Sequence, residues 1–526
     1  MHFSFIFGIL IAYINYPKIE RLIIMERSSG VLLHISSLPG KYGIGSFGAE
    51  ALEFAKFLKN MGCSYWQVLP LCTTDSCNSP YKSFSAFAGN PYFIDLPTLQ
   101  KRGLLTDNEL KENEYSDIYS VPFGDLNEKR LNTLKKAFER IDQTEIEKIS
   151  QFSDDQKHWL PDFALYMALK NDHANRDWYT WEEPLKFREP LAMKEATVKY
   201  SNEILFYKFV QYEFYSQWQD LKLKINSLGI KIIGDMPIYV SLESSDVWSN
   251  LNLFDLDDTG MPKNVAGVPP DYFCADGQKW GNPLYRWDVL KEKGYAWWLL
   301  RIENALSIYD MVRIDHFRAF SAFWAVPFEE KTAKTGKWQK GPGIDFFDAV
   351  FKKFKNPKII AEDLGDIDND VRELLEKTKL PGMRVLQFAF ISDNDNSHMP
   401  HNYNKNVIAY TGTHDNSTIL GWMWEATESQ RKSALAYCNF TEPDWSQGGV
   451  DSPICRACVR TVWASVAPLA IVPIQDLCGF GNDTKMNKPG VADGNWAFRI
   501  TPDALNRIDQ DWLKKINRIY KRSGIN

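Results

Sequence analysis

The chain has 526 residues, with 61 Lys and Arg against 67 Asp and Glu and a formal net charge of −6. That balance excludes a nucleic-acid binder working through bulk positive charge. With 44% hydrophobic and 24% charged residues, the composition is that of a globular chain, not a disordered, collagenous or multi-span membrane one.

The first 24 residues read differently from everything after them. Their apolar stretch, Phe3 to Tyr13, is shorter than the ~20 residues a membrane-spanning helix needs. It also lacks the basic flank and small-x-small cleavage site of a secretory signal. We therefore read residues 1–24 as an extension outside the fold and Met25 as the start.

From Gly30 onward, eight runs rich in β-branched and aliphatic residues recur: 31–36, 65–71, 231–240, 311–317, 358–365, 383–390, 406–415 and 468–477. Nearly continuous apolar runs suit strands buried on both faces, which belong to parallel sheets. Amphipathic stretches such as 368–379 and 417–438 have the period of crossover helices. Eight alternations predict an α/β fold closed as a (β/α)8 TIM barrel, with an open doubly wound sheet as the competing arrangement.

Two stretches interrupt the alternation. Residues 97–204 are charged, aromatic-rich and helical in texture, whereas 241–290 are dense in Gly, Pro, Asn and Asp. Each follows a strand, so in a barrel each would rise over the C-terminal rim. Residues 25–526 thus read as one catalytic domain with a helical insertion and a loop-rich one.

The eight cysteines are too sparse for a disulfide-stapled scaffold, which favours a reducing cytoplasm. Cys455 and Cys458 form a C-x-x-C, but no second ligand pair accompanies it for zinc. Two buried thiols one helical turn apart are the expectation. Gly43, Gly45 and Gly48 spell G-x-G-x-x-G. The strand and ribose-binding acid of a dinucleotide site are missing around them, leaving tight-turn glycines.

Chemistry is written at strand ends: the fourth run ends in RIDHFR, the fifth in AEDLG and the seventh in TGTHDN. In a barrel these ends converge, so Asp315, Glu362 or Asp363, and Asp415 would share one mouth. Acids in apolar runs cost several kcal/mol unless paired or used. Arg313, two residues before Asp315, would favour its ionised form, and His414 adjoins Asp415. Structural ion pairs closing the barrel end are the plain alternative. Paired carboxylates suggest glycoside chemistry, one attacking the anomeric carbon while the other protonates the leaving oxygen. A metal-dependent reading of Asp315, His414 and Asp415 stays open beside it. The 14% aromatic content favours sugar, whose apolar C–H faces stack on Trp and Tyr.

With these motifs in view, the sequence from about Arg27 to Arg499 resembles the amylomaltases. These are the 4-α-glucanotransferases or disproportionating enzymes of the α-amylase clan, glycoside hydrolase family 77. The resemblance rests on GVLLHISSLPGKYGIGSFG, SPYKSFSAFAGNPYFIDL, IGDMPIYV, AGVPPDYFCADGQKWGNPLY, VRIDHFR, AEDLG, TGTHDN, and MNKPG with GNWAFR. It implies Asp315 as nucleophile, Glu362 as general acid/base and Asp415 as transition-state stabiliser. It places Arg313, His414 and Asp235 around the cleaved bond, Tyr81 as a sugar platform, a loop bearing Gln278 and Trp280 over the cleft, and Asn487 and Trp496 nearby. It implies retaining transfer of an α-1,4-glucan segment to the 4-hydroxyl of another glucan, maltose or glucose, with no metal, organic cofactor, nucleic acid, membrane or obligatory protein partner. A retaining α-glucan hydrolase is the same-chemistry alternative. A catalytically dead carbohydrate-binding protein and a nicotinamide oxidoreductase are the alternatives of other classes.

Overall fold

In the computed structural model, residues 25–75, 77–270, 275–391, 396–491 and 493–524 are described. The extension read at 1–24 and Cys274 lie outside them. Among the described residues twelve strands run in chain order: β1 Ser28–Leu32, β2 Tyr65–Gln67, β3 Lys231–Met236, β4 Asn264–Val268, β5 Gln278–Pro283, β6 Met311–Ile314, β7 Ala322–Pro327, β8 Lys337–Lys340, β9 Ile359–Ala361, β10 Gly382–Val385, β11 Val407–Tyr410 and β12 Leu469–Pro473. Each of the eight apolar runs contains or overlaps one strand of an eight-stranded sheet ordered β10-β11-β12-β1-β2-β3-β6-β9. All its paired neighbours are parallel. The two end strands meet where Ala361 N donates to Pro381 O at 2.9 Å. The fold is a (β/α)8 barrel.

Alternation along the strands splits the core in two. Leu32, Tyr65, Ile233, Met311, Ile360, Met383, Ile408 and Leu469, one from each barrel strand, belong to a single buried cluster; this is the packed barrel interior. Their strand neighbours Val31, Trp66, Ile232, Val312, Ile359, Val407 and Ala470 join a second cluster that includes helix residues such as Phe54 and Val462. Gly234 in β3 is needed for close approach, because a Cβ there would meet the Tyr309 ring at 2.1 Å.

Helix Asn369–Thr378 is capped by Asp368, whose carboxylate accepts from Val371 N, within the stretch read as helical. Residues 417–438 form two helices, Ile419–Glu425 and Glu428–Tyr437, where one was expected. The break has a local cause: Thr427 and Gln430 form a reciprocal capping box that starts the second helix. Helix Pro453–Ala464 buries both Cys455 and Cys458. The glycine triplet turns the chain after β1: Gly43 has φ +79°, and a Cβ on Gly45 would meet Ile35 O at 1.9 Å.

Between β2 and β3 the chain is mainly helical, ending in the 27-residue helix Ser201–Ser227. The stretch 241–290, read as loop-rich, contains β4 and β5. They join β7 and β8 in an antiparallel sheet ordered β5-β4-β7-β8. Its segments carry weak signals, since QKWGNP in β5 includes both Gly and Pro and β8 is exposed throughout. Both halves of this sheet leave the barrel at strand C-termini, after β3 and β6, and so stand at the rim. Among the described residues no helix is long and apolar enough to cross a membrane.

Candidate active site

Strands β3, β6 and β9 are stitched together where they end. Asp315 N donates to Met236 O at 3.0 Å, Glu362 N to Ile314 O at 3.0 Å, and Phe317 N to Glu362 O at 3.0 Å. These bonds hold Asp315 and Glu362 on adjacent strand ends. Alternation continues inward from Met311 through Arg313 to Asp315, and from Ile360 to Glu362.

Arg313 sits between two acids. One guanidinium nitrogen donates to Asp235 and the other to Asp315 Oδ1 at 2.7 Å. Burial alone would push the guanidinium's pKa down, but the charges of Asp235 and Asp315 outweigh it and hold Arg313 firmly ionised. Asp235 and Arg313 are 3% and 4% exposed; burial pushes the Asp235 carboxyl up against the pull of Arg313.

Glu362 occupies a different environment. Burial pushes its carboxyl up to about 8, with Asp315's charge acting in the same direction, while Arg313 and two backbone donors oppose the shift. Those donors are His316 N to Oε2 and Leu364 N to Oε1, each at 2.7 Å. Glu362 is therefore largely protonated at neutral pH.

Across the mouth, Tyr81 donates to Asp235 Oδ2 at 2.7 Å. Its ring stacks on His414 with centroids 5.2 Å apart and planes at 15°. His414 Nε2 lies 3.2 Å from Asp415 Oδ2, and Asn487 Nδ2 donates to Asp415 Oδ1 at 2.7 Å. The Asp415 side chain opens to the cleft at 42% exposure. The surrounding walls still desolvate it and push its carboxyl up. The charge and hydrogen bond of His414, with Asn487, outweigh that push and leave Asp415 well below the usual carboxylate range. Reciprocally, burial lowers the His414 imidazolium, but Asp415 more than compensates and raises it. Trp496 packs against both Tyr81 and His414, with centroids at 5.8 and 6.0 Å.

One line of contacts thus runs from Asp315 through Arg313, Asp235, Tyr81, His414 and Asp415 to Asn487. Gln278 and Trp280 reach the site from strand β5, where a loop was expected. Trp280 Nε1 donates to Gln278 Oε1 at 3.1 Å, and its ring stands edge-on to His316, with centroids 4.9 Å apart. Asp363, the other acid of AEDLG, turns away to accept from Met383 N and Arg384.

Two residues of the site were missed from sequence. His34, two residues beyond β1, accepts from Leu69 N through Nδ1 at 3.2 Å. Burial, then the charge of His414, pushes it down to about 3, so it stays neutral. A polar residue just past a strand's C-terminal end was its available signal. His316 adopts φ +49°, ψ +50°, a left-handed conformation uncommon outside glycine. This is the residue whose N–H donates to Glu362, and no sequence pattern marks that turn.

Residues 33–506 match the family described as 4-alpha-glucanotransferase. The chain belongs to the 4-alpha-glucanotransferase family. A 4-alpha-glucanotransferase of Clostridium butyricum is 42% identical over 494 residues, covering 93% of this chain and 100% of that protein. One from Thermus thermophilus is 44% identical, covering 92% and 96%. The solved amylomaltase of Streptococcus agalactiae in complex with acarbose is 40% identical, with a TM-score of 0.91, and covers 95% of this chain and 100% of that one. The amylomaltase of Corynebacterium glutamicum, 18% identical with a TM-score of 0.75 and covering 94% and 75%, shares the fold. Membership of the 4-alpha-glucanotransferase family makes this a transglycosylase of glucans and favours transfer over the hydrolase alternative.

Proposed function

We propose that the enzyme carries out retaining transfer of α-1,4-glucan segments through a covalent ester on Asp315. The observation that carries this reading is the contrast between two neighbouring acids. Asp315 is ion-paired to Arg313, whereas burial pushes Glu362 up to about 8. One is prepared as a nucleophile and the other as a proton donor, the division of labour a retaining glycosidase needs.

Asp315 attacks C1 of the donor glucose while Glu362 gives its proton to the departing glycosidic oxygen. The shortened glucan leaves as an alcohol, and the sugar stays esterified. Glu362, now a carboxylate, takes the proton of an incoming 4-hydroxyl, whose oxygen attacks C1 and releases Asp315. Asp415, held ionised by His414 and Asn487, hydrogen-bonds sugar hydroxyls more strongly as the ring distorts, which is transition-state binding.

Tyr81 supplies an apolar ring for a pyranose face. Gln278 holds Trp280 over the side of the site nearest His316, which helps to exclude water from the ester. Maltooligosaccharides serve as donors, with glucose or maltose as small acceptors. The acarbose complex of the Streptococcus agalactiae amylomaltase supports a glucan-shaped cleft. A cytoplasmic location belongs to the same proposal, supported by free thiols at Cys63, Cys438, Cys455, Cys458 and Cys478.

The test compares Glu362→Gln on an α-glucosyl fluoride and on maltotriose. Fluoride leaves without a proton, so ester formation survives with the fluoride and collapses with maltotriose. Equal losses on both donors would refute acid catalysis by Glu362.

A further inference from the structure

An indole pair, exposed Trp424 and half-buried Trp445, takes no part in the catalytic line. Trp424 is 61% exposed at the end of helix Ile419–Glu425. Its ring meets Trp445 edge to face, with centroids 5.0 Å apart and planes at 61°. A large flat apolar group left in water is unfavourable unless something covers it.

The pair is rigidly built. The Arg431 guanidinium lies over the Trp445 ring at 5.0 Å. The same side chain donates to Met423 O at 3.0 Å and Ala426 O at 3.1 Å. One cation therefore fixes Trp445 and satisfies carbonyls at the C-terminus of the helix that carries Trp424. Binding would need little ordering of the rings.

The pair also belongs to the catalytic rim. Glu425, beside Trp424, accepts from Ser417 Oγ at 2.8 Å and from Asn482 Nδ2 at 2.6 Å. Ser417 lies two residues from Asp415, and Asn482 begins the turn that leads to Asn487, the partner of Asp415. Both contacts tie the end of this helix to the loops that follow β11 and β12.

We propose that Trp424 and Trp445 form an auxiliary binding platform for a distal segment of an α-1,4-glucan. An α-1,4 chain curves, so successive glucose rings present their C–H faces at an angle to one another. Two indoles inclined at 61° offer a surface of matching form. Asp444 and Ser446 flank Trp445; Asp444 Oδ1 accepts from Ser446 N at 2.8 Å and from Ser446 Oγ at 2.6 Å, and the second carboxylate oxygen can accept from a sugar hydroxyl. The inference rests on the proposed glucan-transfer reading and extends it to substrate length.

The test uses the full chain and two readouts. Migration in native gels containing glycogen reports distal binding, and maltotriose disproportionation reports the catalytic centre with a short donor. Trp424→Ala weakens glycogen retardation about fivefold or more, the scale of losing one aromatic stacking contact, and leaves maltotriose kcat and KM unchanged. Trp424→Phe, which keeps an apolar ring, restores most of the retardation. Unchanged retardation in Trp424→Ala would overturn the platform, as would an equal loss of maltotriose turnover. Failure of the wild-type protein to elongate maltotriose would instead strike the transfer reading itself.

Discussion

Asp235 and Arg313 are direct register partners across β3 and β6, and their side chains meet inside the barrel in a buried ion pair. The pairing leaves the second arm of the guanidinium for Asp315 at 2.7 Å. The register of β3 with β6, together with the two-residue step from Arg313 to Asp315, therefore sets the location of the proposed nucleophile.

Arg313→Lys tests this fork. A lysine keeps the charge but is a single point donor, so it cannot hold both Asp235 and Asp315. We expect a folded enzyme with kcat about 10²-fold lower, the cost of misplacing a reacting group by about an ångström. Circular dichroism together with steady-state kinetics on maltotriose checks it.

The pH profile follows from Glu362. Its carboxyl must carry a proton to act as an acid, and burial pushes it up to about 8. The basic limb of kcat/KM should therefore fall as pH rises past about 8. A profile descending near the ordinary glutamate range would contradict this environment.

Stability has its own pH signature at the same residue. The folded state binds the Glu362 proton more tightly than the unfolded chain, so the stabilisation is full below pH 4.5 and is lost as pH rises through about 8. Glu362→Gln never ionises. Its melting temperature relative to wild type should increase between pH 5 and pH 9, as measured by scanning calorimetry.

Asn487→Ala removes the 2.7 Å bond to Asp415. A hydrogen bond to a charged group contributes about 1.5–3 kcal/mol, so kcat/KM should fall between about tenfold and a hundredfold. The change acts through Asp415, and kcat should carry most of it.

Tyr81 separates a ring from a hydroxyl. Tyr81→Phe loses the bond to Asp235 but keeps the stack on His414, whereas Tyr81→Ala loses both. The KM increase for maltotriose should be larger for Ala than for Phe.

The barrel was legible in the sequence because doubly buried strands must be apolar, so Ile232–Ile233, Val312, Ile359–Ile360 and Ala470–Val472 stand out from the polar segments between them. The site was legible for the complementary reason. Acids closing such runs are costly unless used, and Asp315, Glu362 and Asp415 each lie at the end of one. The rim sheet was obscured because β8 is exposed on every residue and β5 carries Gly281 and Pro283. His316 escaped because a left-handed turn outside glycine has no pattern of its own. Trp424 and Trp445 escaped because their pairing depends on a break between two helices at Thr427.

The central claim is that Asp315 carries the sugar. Glu362→Gln incubated with an α-glucosyl fluoride should accumulate the ester, since the base that completes turnover is gone. Mass analysis of the digested protein should then find one added glucosyl group on the peptide containing Asp315, absent from an Asp315→Asn companion. A glucosyl group on a peptide bearing Asp235 or Asp415 instead, or turnover by Asp315→Asn at the wild-type rate, would contradict the account.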